Sequence, residues 1–361
     1  MRLLGLASRN IASDSHHVKF LKANTIQSID YSDIHEFKKG AEQLDAQKIA
    51  RLGESPASVK RSETHYTAED GMQLRALIYQ PVTPTAEGVP LVVLFHGGGF
   101  CIGIPEDEEE TARNIVNAFG ATCVSCAYRL APRFKFPYAA KDGWSALKWA
   151  AVNAKSWGAD PAVGFAVGGT SAGANLAAVT AFLARDHNLS PPLTGLYLAV
   201  PLVCGESVLP EKLRDRFMSY EQNKDALVLP RAAIDMFIRA YEPNFEDAIL
   251  CEFRLLCLGM EERIVLTRMA IDSVLNHPKG HKDLPPTFLQ MNGMDPLRDE
   301  AMIFADVLEE NSVKVKLEIY PGVPHCHWIF FPFLQASVKF REDQVEGFGW
   351  LLNQKPRLLE V

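Results

Sequence analysis

Short apolar runs alternate with stretches of helical spacing along most of this chain, and that alternation leaves few folds open. The runs are Val89–Phe95, Thr122–Ala127, Val163–Val167, Leu196–Val200, Thr287–Met291 and Val315–Ile319. Helical patterns lie between most of them, at Glu106–Phe119, Tyr138–Ala154, Ala172–Arg185 and Asp299–Glu310. Unbroken apolar runs suit strands buried on both faces, and the alternation supplies helices to cover those faces. The expectation is an α/β fold with a mostly parallel central sheet flanked by helices. Ahead of it, His65–Ala68 and Met72–Tyr79 form a hairpin around the turn signal Glu69-Asp70-Gly71.

One interval breaks the pattern. Over eighty residues separate the run ending near Pro201 from Thr287, far more than a crossover needs. The interval is largely helical, with Leu229–Tyr241 apolar-periodic and breaks at Leu209-Pro210 and Glu242-Pro243. Residues 1–64 carry one helix: Asp33 is its N-cap with Glu36 three residues on, Ile34, Phe37, Ala41 and Leu44 recur at helical spacing, and Gly53 ends it. The expected division is an α/β core at 65–203 and 284–361 under a helical cap from 1–64 and 204–283. The acidic run Glu106–Glu110 suits a helix N-terminus and is given no further role.

Composition excludes several classes. Of 361 residues 47% are apolar and 22% charged, so the chain can fill a large core and is not of the disordered type. The net charge of −7, from 37 basic and 44 acidic side chains, argues against nucleic acid or an anionic membrane as partner. No apolar stretch reaches the roughly 18–20 residues of a membrane span. The apolar run within Met1–Arg9 is too short for a signal-peptide core, which predicts a cytoplasmic protein. Seven scattered cysteines (101, 123, 126, 204, 251, 257 and 326) form no disulfide framework. Cys123 and Cys126, three apart on a strand, point to opposite faces and cannot share a metal.

The chemistry is carried by four segments. Gly169-Thr-Ser-Ala-Gly173 sits at a strand-to-helix joint, where a G-x-S-x-G turn thrusts Ser171 out at the carboxyl edge of the sheet. His96-Gly-Gly-Gly-Phe100 follows another strand, and successive glycines leave amides accessible to an oxyanion; no Lys-Ser or Lys-Thr follows to make a nucleotide loop. A serine nucleophile needs a base and a group to orient it, here expected in the order acid, then histidine. Asp295 and His325, 30 residues apart after the last two strands, stand in that order, with Asp299 and His327 as rivals.

These motifs, with Tyr128-Arg-Leu-Ala-Pro132, Phe136-Pro137, Asp142 and Asp295-Pro-Leu-Arg-Asp-Glu300, resemble the hormone-sensitive-lipase-like family of α/β-hydrolases, mainly carboxylesterases. The likeness spans residues 65–205 and 281–361, and its tone is similar to fungal members, some of which serve secondary metabolism. It implies Ser171, Asp295 and His325 as triad and the amides of Gly97, Gly98 and Ala172 as oxyanion hole. The chain departs from the family at Arg133, where Glu is usual, and at Cys326-His327, where Gly-Phe is usual. A Cβ at 326 is expected to tilt the His325 loop and His327 to bring a polar ring beside the pocket. Residues 251–271 have no counterpart in the family pattern: they are either a cap helix or unspliced intron sequence, which the transcript decides.

The function expected is hydrolysis of carboxylic esters with small or medium groups, with a small-molecule ester as partner and no cofactor or metal. Phe100, Cys101, Phe217 and Trp328 are the candidate pocket walls, and a homodimer is among the assemblies left open. Two alternatives stand beside it. The same triad can serve biosynthetic acyl transfer or lactonisation if water is excluded. A catalytically silent receptor, like the gibberellin receptors that resemble this family, is disfavoured by the presence of His325 and kept open by Cys326-His327.

Overall fold

The structure, a computed structural model, describes residues 30–52, 58–83, 88–204, 209, 211–242 and 279–357. Met1–Arg9, Gly53, Pro210, Pro243, Cys251, Cys257 and the segment 251–271 lie outside the described residues.

Eight strands form one sheet: β1 Val59–Thr67, β2 Gln73–Pro81, β3 Leu91–Phe95, β4 Thr122–Cys126, β5 Phe165–Thr170, β6 Gly195–Ala199, β7 Thr287–Asn292 and β8 Val315–Tyr320. Their order across the sheet is β1-β2-β4-β3-β5-β6-β7-β8. β1 and β2 pair antiparallel and so does β2 with β4, whereas every pairing from β4 through β8 is parallel. The first strand begins at Val59, six residues ahead of the run visible in the sequence, because Val59–Glu63 find partners in Leu77–Pro81. The turn between the two is closed by Ala68 and Met72, with Gly71 at φ +87°.

The main helices are α1 Ile34–Leu52, α2 Glu109–Phe119, α3 Tyr138–Asn153, α4 Ala172–Asp186, α5 Arg231–Tyr241, α6 Arg298–Glu310 and α7 Gln335–Leu352. Strand periodicity divides the interior into two cores. Leu91, Val93 and Phe95 of β3 face α3, α4 and α6, while Val92 and Leu94 face α2 and α7. Cys123 and Cys126 fall into different cores, as their odd spacing requires.

The stretch Glu106–Phe119 is not one helix. Pro105–Glu108 forms a 3-10 turn before α2 starts at Glu109, because Asp107 folds back to accept the Ile104 amide at 3.0 Å. Nor is the acidic run idle. Glu106, Glu108 and Glu109 are buried; Glu106 takes Arg75, Glu109 takes Arg61 and Arg113, and Asp107 takes Lys48. Asp33 caps α1 as expected, accepting the His35 amide at 2.8 Å. In the long interval the described elements are a 3-10 turn Glu211–Arg216, a single turn Ser219–Gln222 and α5.

Candidate active site

β5 ends at Thr170, α4 begins at Ala172, and Ser171 makes the whole corner with φ +57° and ψ −117°. That left-handed backbone is strained for a residue with a Cβ and is held from outside: the Ser171 amide donates to Ala199 O at 2.8 Å. Both flanking glycines are obligatory. A Cβ on Gly173 would lie 2.0 Å from Phe95 O, and one on Gly169 would lie 2.5 Å from the same atom. Ala172 opens α4, where first-turn N–H groups have no intrahelical acceptor and the helix dipole favours negative charge.

The loops after β7 and β8 bring the other two groups to this corner. His325 Nε2 lies 3.0 Å from Ser171 Oγ, and His325 Nδ1 lies 2.6 Å from Asp295 Oδ2. Asp295 Oδ1 accepts the Leu297 amide at 2.9 Å, so the carboxylate is fixed on both oxygens. The two loops are stitched together by Asn292 Nδ2 donating to Pro324 O at 2.7 Å and by the Met294 amide donating to Val323 O. Asp295 is 1% exposed, His325 5% and Ser171 8%, so the whole chain of bonds is shielded from solvent.

The rivals serve elsewhere. Asp299 accepts the Met218 and Ser219 amides at 2.8 and 2.7 Å and thereby anchors the segment beside Phe217. His327 begins a single helical turn behind the sheet and packs on Tyr320, Trp328 and Phe340. Cys326 does not tilt the His325 loop. It adopts the left-handed conformation itself, φ +51°, and His325 keeps both bonds.

Gly97 lies against the serine: a Cβ there would sit 3.5 Å from Ser171 Cβ and 3.2 Å from Thr170 O. Gly98 and Gly99 follow at φ +110° and +59°. His96 supports the loop from below, its Nδ1 2.8 Å from Gly97 O and its ring stacked on Tyr128 at 4.3 Å. Tyr128 in turn donates its hydroxyl proton to His96 O at 2.8 Å.

Of the expected walls, Phe100 stacks on Tyr241 at 4.2 Å, Cys101 Sγ lies 3.8 Å from Phe237 O, and Phe217 stacks on Tyr220 at 4.8 Å. Trp328 stacks on Phe340 at 3.8 Å within the α2/α7 core, so the apolar surface under α7 claims it instead of the site. The sequence assigns no role at the site to Phe37, Phe237 and Tyr241; Phe37 packs on Phe237, and Phe237 and Tyr241 pack over the glycine loop at Gly99 and Phe100. Glu300, which ends the Asp295–Glu300 motif, was given no role by the sequence; it is a buried carboxyl accepting the Val203 amide at 2.7 Å and pushed well above the usual carboxylate range by burial. Helical spacing marked these aromatics as apolar but carried no signal of which surface they meet. Among the described residues no group of three or more His, Cys, Asp or Glu is placed to hold a metal ion, and no helix is long and apolar enough to cross a membrane.

Comparison with known proteins follows the same line. A family described as alpha/beta hydrolase fold matches residues 92–329. The chain is 32% identical to AB hydrolase superfamily protein B1A11.02 of Schizosaccharomyces pombe, over 93% of this chain and 92% of that protein. It is 32% identical to carboxylesterase NlhH of Mycobacterium tuberculosis, over 77% of this chain and 79% of that protein. The structure of a vibralactone cyclase superposes with a TM-score of 0.81 at 28% identity, covering 94% of this chain and 95% of that one.

Proposed function

Because the chain belongs to the α/β-hydrolase fold family, we propose that it is a serine hydrolase cleaving carboxylic esters with Ser171, His325 and Asp295 as its triad. The observation that carries the reading is the unbroken chain of bonds from Asp295 through His325 to Ser171. Ser171 Oγ attacks the acyl carbon while His325 Nε2 takes its proton. Asp295 holds the other ring proton on Nδ1 and stabilises the imidazolium. The carbonyl electron pair moves to an oxyanion that the amides of Gly97, Gly98 and Ala172 receive. His325 then protonates the leaving alcohol, and the acyl-enzyme is released by a water that His325 deprotonates. The walls at Phe100, Cys101 and Phe217, under a cap, favour small or medium acyl groups. A clear preference for long-chain esters contradicts that.

Turnover of p-nitrophenyl acetate and butyrate by the purified protein, beside Ser171→Ala and His325→Ala, tests the reading. Each variant is expected to lose on the order of a millionfold in kcat. Equal turnover by wild type and S171A overturns it. A protein that is labelled at Ser171 by a fluorophosphonate but turns over neither ester keeps the nucleophile and loses the substrate class.

The likeness to the cyclase supports a second reading, in which a nucleophile within the substrate replaces water and the acyl-enzyme closes to a lactone. Assay with and without an added alcohol acceptor separates the two. The receptor reading loses its ground, since it needed a displaced His325.

A further inference from the structure

Helix α1 reaches the glycine loop with two lysines. Lys38 Nζ donates to the backbone carbonyl of Cys101, a residue with no exposed surface. One face further along, Lys48 pairs with Asp107, whose other carboxylate oxygen accepts the Ile104 amide at 3.0 Å. Residues 101–107 of the loop are thus gripped at both ends by the N-terminal helix.

The carbonyls of the loop are fixed one by one. Gly97 O faces His96 Nδ1 at 2.8 Å, Gly98 O accepts the Cys101 and Ile102 amides at 3.0 Å, and Phe100 O accepts the Ala131 amide at 2.9 Å. Each of those partners comes from the core or the loop itself. Cys101 O takes its partner from α1.

That bond matters because a peptide plane carries a carbonyl on one side and the next amide on the other. Holding Cys101 O orients the Ile102 N–H, and the Ile102 N–H holds Gly98 O. Gly98, at φ +110°, has no side chain to restrict its torsions, so its orientation rests on such bonds. Apolar contacts dock the helix in the same place. The Phe37 ring, next to Lys38, meets Phe237 edge-on at 5.6 Å, and Phe237 covers Gly99, where a Cβ would sit 2.4 Å from the ring. Burial strips water from the Lys38 ammonium and lowers its pKa, with Glu42 and Asp45 on the same helix working the other way. An ammonium kept half-buried for one backbone carbonyl is costly unless that bond is strong.

We propose that Lys38 is a positioning residue for the oxyanion hole: by holding the Cys101 carbonyl it keeps the Ile102 amide on Gly98 O and so closes the Gly98–Ile102 turn, which steadies the Gly98 torsions next to the Gly97 and Gly98 amides that His96 and Tyr128 hold at the Ser171 corner. This rests on the esterase reading above. The bond acts on the transition state, which carries the oxyanion, and not on the ester as it first binds.

The test compares wild type with Lys38→Met, which keeps the apolar stem and removes the donor, and with Lys38→Arg, which keeps a donor. Three quantities are read: kcat, KM, and the Ki of a trifluoromethyl ketone. The ketone adds Ser171 Oγ to its carbonyl carbon, passes the serine proton to His325 and leaves an oxyanion in the hole. K38M is expected to lower kcat about tenfold with KM nearly unchanged and to weaken the ketone by about the same factor, and K38R to recover most of both. K38Q, whose polar head stops short of the carbonyl, repeats the measurement should K38M not fold, with the same losses expected. A K38M with wild-type kcat and Ki overturns the inference, as does K38R impaired equally with K38M, or a rise in KM alone. A wild type that neither turns over esters nor binds the ketone overturns the esterase reading instead, and the inference with it.

Discussion

His325 and His327 stand two residues apart, and their surroundings favour opposite charge states. Burial disfavours charge on the His325 ring, but the Asp295 carboxylate bonded to it outweighs burial and raises its pKa well above 6.5. At His327 burial dominates and pulls the pKa down to about 4. The Ala336 backbone beside the ring favours its charged form only weakly, and burial among Tyr320, Trp328 and Phe340 prevails, so the ring is held neutral. The unfolded ring takes its proton below about 6.5 and the folded ring only below about 4, so between those values the unfolded chain binds more protons. Stability is therefore lost as pH falls through that window. His325 is the same in wild type and in a His327 variant, so its own titration cancels when the two are compared. A tenfold change in proton affinity is worth ~1.4 kcal/mol, which makes the loss roughly 2–3 kcal/mol by about pH 4.5. His327→Phe removes the titration. Urea unfolding should show its advantage over wild type widening by roughly that amount from about pH 7.5 to about pH 4.5. A constant gap would mean that His327 protonates normally in the fold.

The joint from β5 through Ser171 to α4 is where local sequence says most. Its two glycines are required by contacts with β3: a Cβ on Gly173 meets the Phe95 carbonyl at 2.0 Å and the His96 carbonyl at 2.4 Å. Neither atom belongs to a side chain that could turn away, so Gly173→Ala should cost about 3 kcal/mol or more and lower the melting temperature sharply. Gly143, within α3, provides the contrast. Its Cβ would meet Thr180 Cγ2 at an ordinary 3.4 Å, and helix propensity favours alanine by up to ~1 kcal/mol, so Gly143→Ala should hold or raise the melting temperature. Thermal unfolding of the two variants side by side checks both signs. The serine turn and the strand runs were legible in the sequence because each depends on neighbours a few residues away. Lys38 was not, because its partner lies 63 residues further on and a lysine on a helix reads as a solvated one. The acidic run Glu106–Glu110 showed its charge but not its cations, Arg61 and Arg75, which reach it from β1 and β2. Trp328 belongs to the core under α7 and not to the site, a placement invisible in the sequence because nothing there says which of two cores an aromatic joins.

At the scale of the whole molecule, the antiparallel edge must be fastened to a sheet that is otherwise parallel. One side chain does much of this. Arg129, just after β4, gives its amide and Nε to Asp142 Oδ2 at 2.9 and 2.8 Å and its Nη2 to Asp142 Oδ1 at 2.6 Å. Its Nη1 donates to Asp70 in the β1–β2 turn. Asp142 lies on α3 with no exposed surface, so the guanidinium joins hairpin, sheet and helix, and Tyr66 of β1 adds a bond to Ala127 O at 2.7 Å. A pair buried this deeply adds little net stability over an apolar replacement, but losing one partner leaves a charge stranded. Arg129→Met should therefore destabilise the protein by about 3–5 kcal/mol in denaturant unfolding, while R129M combined with Asp142→Leu should recover more than half of that. If the double variant is as unstable as R129M, the pair contributes through the hydrogen bonds it gives the backbone and the hairpin, and its charge balance is secondary.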